Sequence, residues 1–392
     1  MQADFDLERI VAPTARAVFF ATHWERQPLL VSRHQPDYFA SLLSLDEIDR
    51  VTTTLNLRYP DIYMVNADEE VAREDYTVEG GAIDVARLYE NFAAGSTVIL
   101  DQLHRRLSPL AELCRALEQE LSVPFQTNVY LTPPNAKGFK THFDTHDVFV
   151  LQIAGAKRWR IFEAPIVLPL KGQNYDSAEH ESGTVTDELE VVPGNTIYIP
   201  RGVMHDACSS DEVSLHITVG MLSYTWVELL LEALAKLGLE DAAFRAALPV
   251  GFAQATFDRD AAKATFGRLL DTFRAQADFD DAFDHFVATF LATRAPLLRG
   301  QLEQVVGLDQ LTLASALSPR RHLVYRQSVE GERVRLECYG RTIDLPHHAG
   351  DAVRFALATP GYAVGDLPGG LDDEAKLVLA RRLLREGLIM RA

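Results

Sequence analysis

Cysteine is scarce in this chain of 392 residues: Cys114, Cys208 and Cys338 stand far apart, with no CxxC pair among them. That spacing excludes a disulfide framework and fits a reducing, cytoplasmic setting. No run of about 18 apolar residues occurs, so no membrane-spanning helix is expected. The opening stretch, "MQADFDLERIVAPTARAVFF", is acidic and mixed rather than a basic segment before an apolar core, which argues against a signal peptide. Internal repeats and low-complexity tracts are missing as well. Positive charge is the minority, 38 Lys and Arg against 56 Asp and Glu, for a net of −18. This disfavours a protein-wide nucleic-acid surface; it suits plain solubility or a basic partner.

What remains is the composition of an ordinary soluble protein, 47% hydrophobic and 24% charged. The length allows two or three domains and a substantial core. Residues 1–96 read as mixed α/β, with short helices around "PTARAVFFATHW" and "SLDEIDRVTTTL" and strand-like "PLLVS" and "DIYMV" between them. "RRLSPLAELCRALEQEL", Arg105 to Leu121, has apolar residues at helical spacing and a start signal at Ser108-Pro109. The texture of 97–226 then turns to short β-rich runs cut by Gly and Pro: "NVYLT", "DVFVLQIAG", "KRWRIFEA", "ELEVVPG", "NTIYIP" and "VSLHITVGM". Many short strands with such turns predict a sandwich or a barrel, and the pattern alone does not choose between them. Residues 227–310 read as helical, with an apolar stripe in "DFDDAFDHFVATFLATRAPLL" suited to core or to a helical dimer contact. Residues 311–392 read as strands with a turn at Glu330-Gly331, two helices and a last short strand, a winged-helix-like order. From Pro319 onward 12 Lys and Arg face 10 Asp and Glu, too slight an excess to argue DNA binding.

"KTHFDTHDVFVLQ" concentrates chemistry. His142, Asp144, His146 and Asp147 fall within six positions, ahead of an apolar run. In extended chain, residues i and i+2 share a face about 6–7 Å apart, whereas i+4 lies about 13 Å away. His142 and Asp144 therefore form the H-x-D pair; Phe143 points away, His146 falls at the rim, and Asp147 turns to the opposite face. His205 in "NTIYIPRGVMHDACSS" is the candidate third ligand. Two imidazoles and a carboxylate on one face of a metal leave positions open, as in non-haem Fe(II) oxygenases, with zinc the competitor. Lys157, fifteen residues after His142, would be a costly cation inside a barrel unless paired with an anion. Asn128, Tyr130, His216 and Thr218 are further polar wall candidates. Arg158 and Arg160 read as ordinary flanks, Trp159 as core, and Cys208 as buried packing.

Taken together, "NVYLTPPNAKGFKTHFDTHDVFVLQIAGAKRWRIF" and "PGNTIYIPRGVMHDA" resemble the JmjC-type 2-oxoglutarate oxygenases, in their ribosomal oxygenase branch. The likeness runs from "HWERQPLLV" to about Trp226. It implies an α+β protein whose core is a double-stranded β-helix, the jelly roll of the cupins, followed by a helical dimerisation region and a winged-helix-like domain. It implies Fe(II) held by His142, Asp144 and His205, and 2-oxoglutarate whose distal carboxylate pairs with Lys157. O2 would be the co-reactant. By the same likeness Asn128 lines the cosubstrate pocket, Tyr130 lies nearer the substrate, and His216 and Thr218 follow the distal ligand, although the link from His205 to His216 is one residue shorter than in animal relatives. The implied activity is hydroxylation of an Arg or His side chain in a basic ribosomal protein, by a homodimer. The same centre would serve a methyl-lysine demethylase or a small-molecule hydroxylase. A non-catalytic cupin regulator whose tail contacts nucleic acid is the reading from another class.

Overall fold

The structure is a computed structural model that describes residues 5–391. The chain divides into two compact units, with the boundary between Ser223 and Tyr224. In the first unit, ten strands form two antiparallel sheets. They are β1 Leu29–Val31, β2 Ile62–Val65, β3 Thr97–Leu100, β4 Phe125–Thr132, β5 Asp147–Ala154, β6 Lys157–Phe162, β7 Val185–Val191, β8 Thr196–Ile199, β9 His205–Ser209 and β10 Ser214–Met221. Seven pair in the order β1-β8-β5-β10-β4-β3-β2, and three in the order β7-β6-β9. Strands from the first 96 residues thus sit in the same sheet as the β-rich segment.

The two faces of the large sheet have different partners. Apolar odd-numbered residues of β4, β5 and β10, among them the fully buried Val129, Phe149, Leu151, Ile217 and Val219, pack in the main core with apolar side chains of the first 121 residues. The helix Ser108–Leu121 supplies Leu110, Leu113 and Leu117 to it, with Pro109 in its first turn. Each such side chain contributes about 1.5–3 kcal/mol on burial. The helix Leu45–Thr54 adds Ile48 and Val51, and Ser44 caps it by accepting a hydrogen bond from the Glu47 amide. On the other face Val148, Val150, Ile197 and Ile199 pack against Trp159, Ile161 and Val191 of the small sheet. The sheets therefore stack as a cupin-like sandwich, with one end of the gap left for polar side chains.

Two strands were not legible in advance. β3 is a four-residue run after Gly95-Ser96, and β9 is too polar to read as a strand. Both exist because their neighbours supply ladders, β4 for β3 and β6 for β9. A helix at Val85–Ala93, capped by Asp84, was likewise unforeseen.

In the second unit, helices span Trp226–Glu240, Asp260–Gln276 and Phe279–Thr293. Within the helical region expected over 227–310, the chain breaks where Asp278 caps a new helix by accepting from the Asp281 amide. Beyond it β12 Arg326–Glu330, β13 Arg333–Cys338 and β14 Arg341–Pro346 form a meander, while β11 Ala316–Pro319, β15 Tyr362–Ala363 and β16 Ile389–Arg391 make a second small sheet. The turn joining β12 and β13 is Gly331-Glu332, one residue beyond the expected pair, because Glu330 still pairs with Arg333 and Gly331 takes the left-handed φ of 58°. Helices Gly350–Ala358 and Asp373–Arg385 pack their apolar faces on this core. No helix among the described residues is long and apolar enough to cross a membrane.

Candidate metal centre and its cavity

His142 and Asp144 precede β5 rather than lying on it. They are held by main-chain bonds to the turn that leads into β9. The His142 amide donates to the His205 carbonyl at 3.1 Å, the His205 amide donates back at 2.8 Å, and the Gly202 amide donates to the Asp144 carbonyl at 3.0 Å. Gly202 has φ 88°, and a Cβ there would lie 2.0 Å from the Ile166 carbonyl oxygen. Only glycine fits this turn. Phe143, between the two ligand candidates, turns away into a small buried cluster with Phe162 and Met204.

Both imidazoles are oriented by their own segments. Nδ1 of His142 lies 2.8 Å from the Lys140 carbonyl, and Nδ1 of His205 lies 3.0 Å from the Val203 carbonyl. A carbonyl only accepts, so each Nδ1 donates and leaves Nε2 as the ring nitrogen on the side free for a ligand. The Nε2 of His205 lies 3.7 Å from an Asp144 oxygen. One donor atom from each of His142, Asp144 and His205 falls within 4.8 Å of the others, the one such cluster among the described residues. Small side-chain rotations bring donors at that spread to the roughly 3–4 Å separations of ligands sharing an ion. Burial, and then neighbouring His142, push the His205 pKa down to about 4, so its imidazole is neutral at physiological pH, as a ligand must be.

The cluster opens on a cavity of about 310 Å³ between the sheets. The fold brings Asn128, Tyr130, His142, Asp144, Lys157, His205, His216 and Thr218 to this one cavity. Register explains the convergence: His216 stands opposite Tyr130, and Thr218 opposite Asn128, so all four share the inner face. Tyr130 and His216 stack with ring centroids 4.7 Å apart. Burial raises the Tyr130 pKa far above its usual value and lowers that of His216 well below, leaving both neutral. The Asn128 side-chain oxygen accepts from the Gln102 amide.

Lys157 opens β6 and points inward, 4% exposed. Its ammonium donates to the Thr132 hydroxyl at 2.9 Å, with no carboxylate paired to it among the described residues. Burial lowers its pKa to about 7. Trp159 and His216 also line this space, and the indole nitrogen of the one and Nδ1 of the other are buried without a hydrogen-bond partner. An ammonium with a single hydroxyl partner, together with an unpartnered indole N–H and imidazole nitrogen on residues of one polar cavity, fits an anionic, oxygen-bearing guest.

Other residues emerge only in three dimensions. Tyr63, Thr97 and Phe139 line the cavity; their signal was invisible because they come from three separate segments, β2, β3 and the loop after β4. Trp159 is core, as its sequence context suggests, but it is also cavity wall. Arg160 is not an ordinary flank. It grips Asp206 at 2.9 and 2.6 Å, and Lys137 and Thr141 join it. Burial works to raise the Asp206 pKa, but these three donors overrule it and hold it at about 2. Asp206 is thereby committed to its cations instead of the metal cluster. His146 also lines the cavity, close enough to Gly220 that a Cβ there would meet its ring at 2.8 Å. Cys208 is exposed, against the expectation of burial, because β9 alternates and turns His205, Ala207 and Ser209 inward.

A second groove, of about 430 Å³, shares Gly138 and Phe139 with the cavity and carries Asp68, Glu69, Glu70 and Lys140 on its wall.

Residues 102–229 match the family described as the JmjC domain. Among curated proteins, the bifunctional lysine-specific demethylase and histidyl-hydroxylase NO66 of Drosophila simulans is 32% identical over 241 residues, 60% of this chain and 28% of that protein. NO66 of Aedes aegypti is 30% identical over 227 residues, 56% of this chain and 35% of that protein. The chain thus spans only about a third of the length of these relatives. The ribosomal oxygenase YcfD of Escherichia coli, in complex with cobalt and 2-oxoglutarate, shares the fold with a TM-score of 0.53 at 16% identity, over 95% of this chain and 97% of that one. A further X-ray structure of the same Escherichia coli protein gives a TM-score of 0.55 at 18% identity, over 97% and 99% of the two chains.

Proposed function

We propose, from the premise that this chain is a JmjC-domain protein, that it is an Fe(II)- and 2-oxoglutarate-dependent oxygenase hydroxylating an Arg or His side chain of a basic protein, a ribosomal protein foremost. The observation that carries this reading is one cavity holding both a His-Asp-His cluster and a buried Lys157 that pairs with no carboxylate among the described residues. The first suits a ferrous ion with open positions, and the second suits the far carboxylate of a dicarboxylate. When bound, the iron and the keto acid supply the oxidising chemistry, in which O2 is consumed, 2-oxoglutarate becomes succinate and CO2, and one oxygen atom enters a substrate C–H bond.

The chain's own residues do the placing. His142, Asp144 and His205 hold the metal, two of them through nitrogens whose direction is set by the Lys140 and Val203 carbonyls. Lys157 fixes the cosubstrate's charge, and Thr132 orients the ammonium. Asn128, Tyr130, His216 and Thr218 supply neutral polar contacts, and Val148 and Val150 keep the floor dry. The test is succinate formation coupled to a +16 Da gain on basic ribosomal-protein peptides under Fe(II), 2-oxoglutarate and air. Formaldehyde release from methyl-lysine peptides with no +16 Da product would overturn hydroxylation in favour of demethylation.

The acidic groove beside the cavity supports a basic substrate. Converting Asp68, Glu69 and Glu70 to Asn, Gln and Gln is expected to lower kcat/KM for a basic peptide roughly tenfold at low salt and to flatten its salt dependence, the signature of lost steering. An unchanged salt profile would place the peptide elsewhere.

The helical segment supports a homodimer. Trp226, Leu230, Leu231, Phe266, Leu270, Phe279 and Phe283 stand exposed on its three helices, more apolar surface than a solvated monomer carries without purpose. Light scattering is expected to give twice the 43.7 kDa chain mass, and Leu231→Asp with Phe266→Asp to give a single chain. The β12-β13-β14 meander and its two helices support the winged-helix-like reading of 311–392. Three free cysteines support a reducing, cytoplasmic setting.

A further inference from the structure

Asp147 raises a question that the metal cluster does not answer. It is fully buried and is absent from the cavity lining, and its side-chain oxygens accept from the Tyr198 hydroxyl at 2.9 Å and from Arg201 Nη1 at 2.6 Å. The other terminal nitrogen of Arg201 reaches Glu25 at 2.6 Å, and the Glu25 amide donates to the Tyr198 hydroxyl at 2.9 Å. Four polar groups from three separate segments thus close a ring. Burying an ion pair costs desolvation and rarely stabilises a fold over a well-packed apolar substitute, so its value is more often geometric.

The geometry here has an object. Asp147 lies three residues after Asp144. Arg201 precedes Gly202, whose amide holds the Asp144 carbonyl, and Val203, whose carbonyl orients the His205 ring. The segments 142–147 and 198–205 carry all three metal-ligand candidates, and they meet on two sides. Toward the cavity they are joined by neutral main-chain bonds; away from it they are joined by Asp147 with Tyr198 and Arg201.

We infer that Asp147, Arg201 and Glu25 are positioning residues of the metal centre: their charge ring fixes the turn 198–203 against the Asp144 segment and so sets the angle at which Asp144 and His205 meet an ion. The inference rests on the metal-site reading above. Arg201 is suited to the task because its planar fork engages two carboxylates through different nitrogens, which a lysine cannot reproduce. Glu25, in "HWERQPLLV", ties the N-terminal segment into the same ring and gives that stretch a role beyond packing.

The test is anaerobic Co²⁺ titration of the full chain, read by visible d–d absorption, with circular dichroism and melting of the metal-free protein alongside. Glu25→Gln is the principal variant, because Glu25 lies at the partly exposed end of the ring and its loss spares the buried pair. Arg201→Lys is the second. Supporting residues of this kind typically alter metal affinity about 10–100-fold. Expected are Co²⁺ affinity weakened roughly tenfold in Glu25→Gln and roughly a hundredfold in Arg201→Lys, with a shifted d–d band in both. Variants that melt earlier yet keep the parental Co²⁺ affinity and spectrum would overturn the inference, since a purely structural ring would do just that. Failure of the unmodified chain to bind Co²⁺ would overturn the metal-site reading, and this inference with it.

Discussion

Replacing Asp144 with Ala is expected to abolish iron-dependent turnover, by more than about a thousandfold, while the fold survives. A thousandfold is about 4 kcal/mol on the barrier, a modest demand for removing the one anionic donor from a three-ligand site. The survival of the fold follows from how Asp144 is held. Its contribution to the turn is a main-chain one, the carbonyl accepting from Gly202, and its side chain is about one-third exposed. An alanine keeps that hydrogen bond and strands no partner. The measurements are metal content after anaerobic loading, turnover of 2-oxoglutarate, and a melting curve. Undiminished metal binding by Asp144→Ala would remove Asp144 from the shell.

Lys157→Met is expected to raise the 2-oxoglutarate requirement by roughly 100- to 1,000-fold while leaving metal affinity within a few-fold, since stripping one partner from a buried charge pair costs about 3–5 kcal/mol. It should also stabilise the protein in the absence of cosubstrate. Burial lowers the Lys157 pKa to about 7, from 10.5 in the unfolded chain. Between those values the unfolded state binds the proton and the folded state does not, so stability rises with pH through this window. Below pH 7 both states are protonated and the full penalty for burying the ammonium applies; above 10.5 both are neutral and it vanishes. Methionine removes the penalty, so the melting-temperature gain should be largest near and below pH 7 and fade toward pH 10. Cosubstrate binding carries the opposite demand. An anion beside Lys157 requires the ammonium, so binding should take up a proton above pH 7 and weaken by up to about tenfold per pH unit. Calorimetry in buffers of different ionisation heat reads that proton directly. Equal loss of metal and cosubstrate affinity in Lys157→Met would make Lys157 a packing residue.

How much of this was legible in the residues depends on the range over which a signal acts. β-Rich composition and turn residues disclosed β4, β5, β6, β7, β8 and β10, because each such run is short and most are bounded by a Gly or Pro. The H-x-D pair was legible for a similar reason: two-residue spacing fixes a shared side regardless of what surrounds it, and Phe143 does turn away. His205 was a candidate from its place after a strand and a Pro-Arg-Gly turn, and the family resemblance then implied the same ligand. Beyond that range the sequence falls silent. β9 is a strand only because β6 lies beside it. Arg160 looked like a solvated flank since Asp206, its partner, is 46 residues away. Cys208 was misjudged because its exposure follows from the alternation of a strand not yet recognised. The Asp147–Arg201–Glu25 ring joins three segments at least 51 residues apart in sequence, and no local pattern reports it.

The pairing of β10 also bears on the loop before it. The ladder steps from Leu215 opposite Ala154 to His216 opposite Gln152, so β5 holds one extra residue at Ile153, and from there to Met221 the match runs without interruption. Which side chains look inward is thus decided by odd and even numbering within β10, anchored on both flanks, and owes nothing to the count of residues in 210–213. That loop, which crosses from the small sheet to the large one, can therefore lengthen or shorten without rotating His216 or Thr218 out of view. A single residue added inside β10 would exchange the two faces wholesale, presenting Ile217 and Val219 to the cavity and thrusting an imidazole into hydrocarbon.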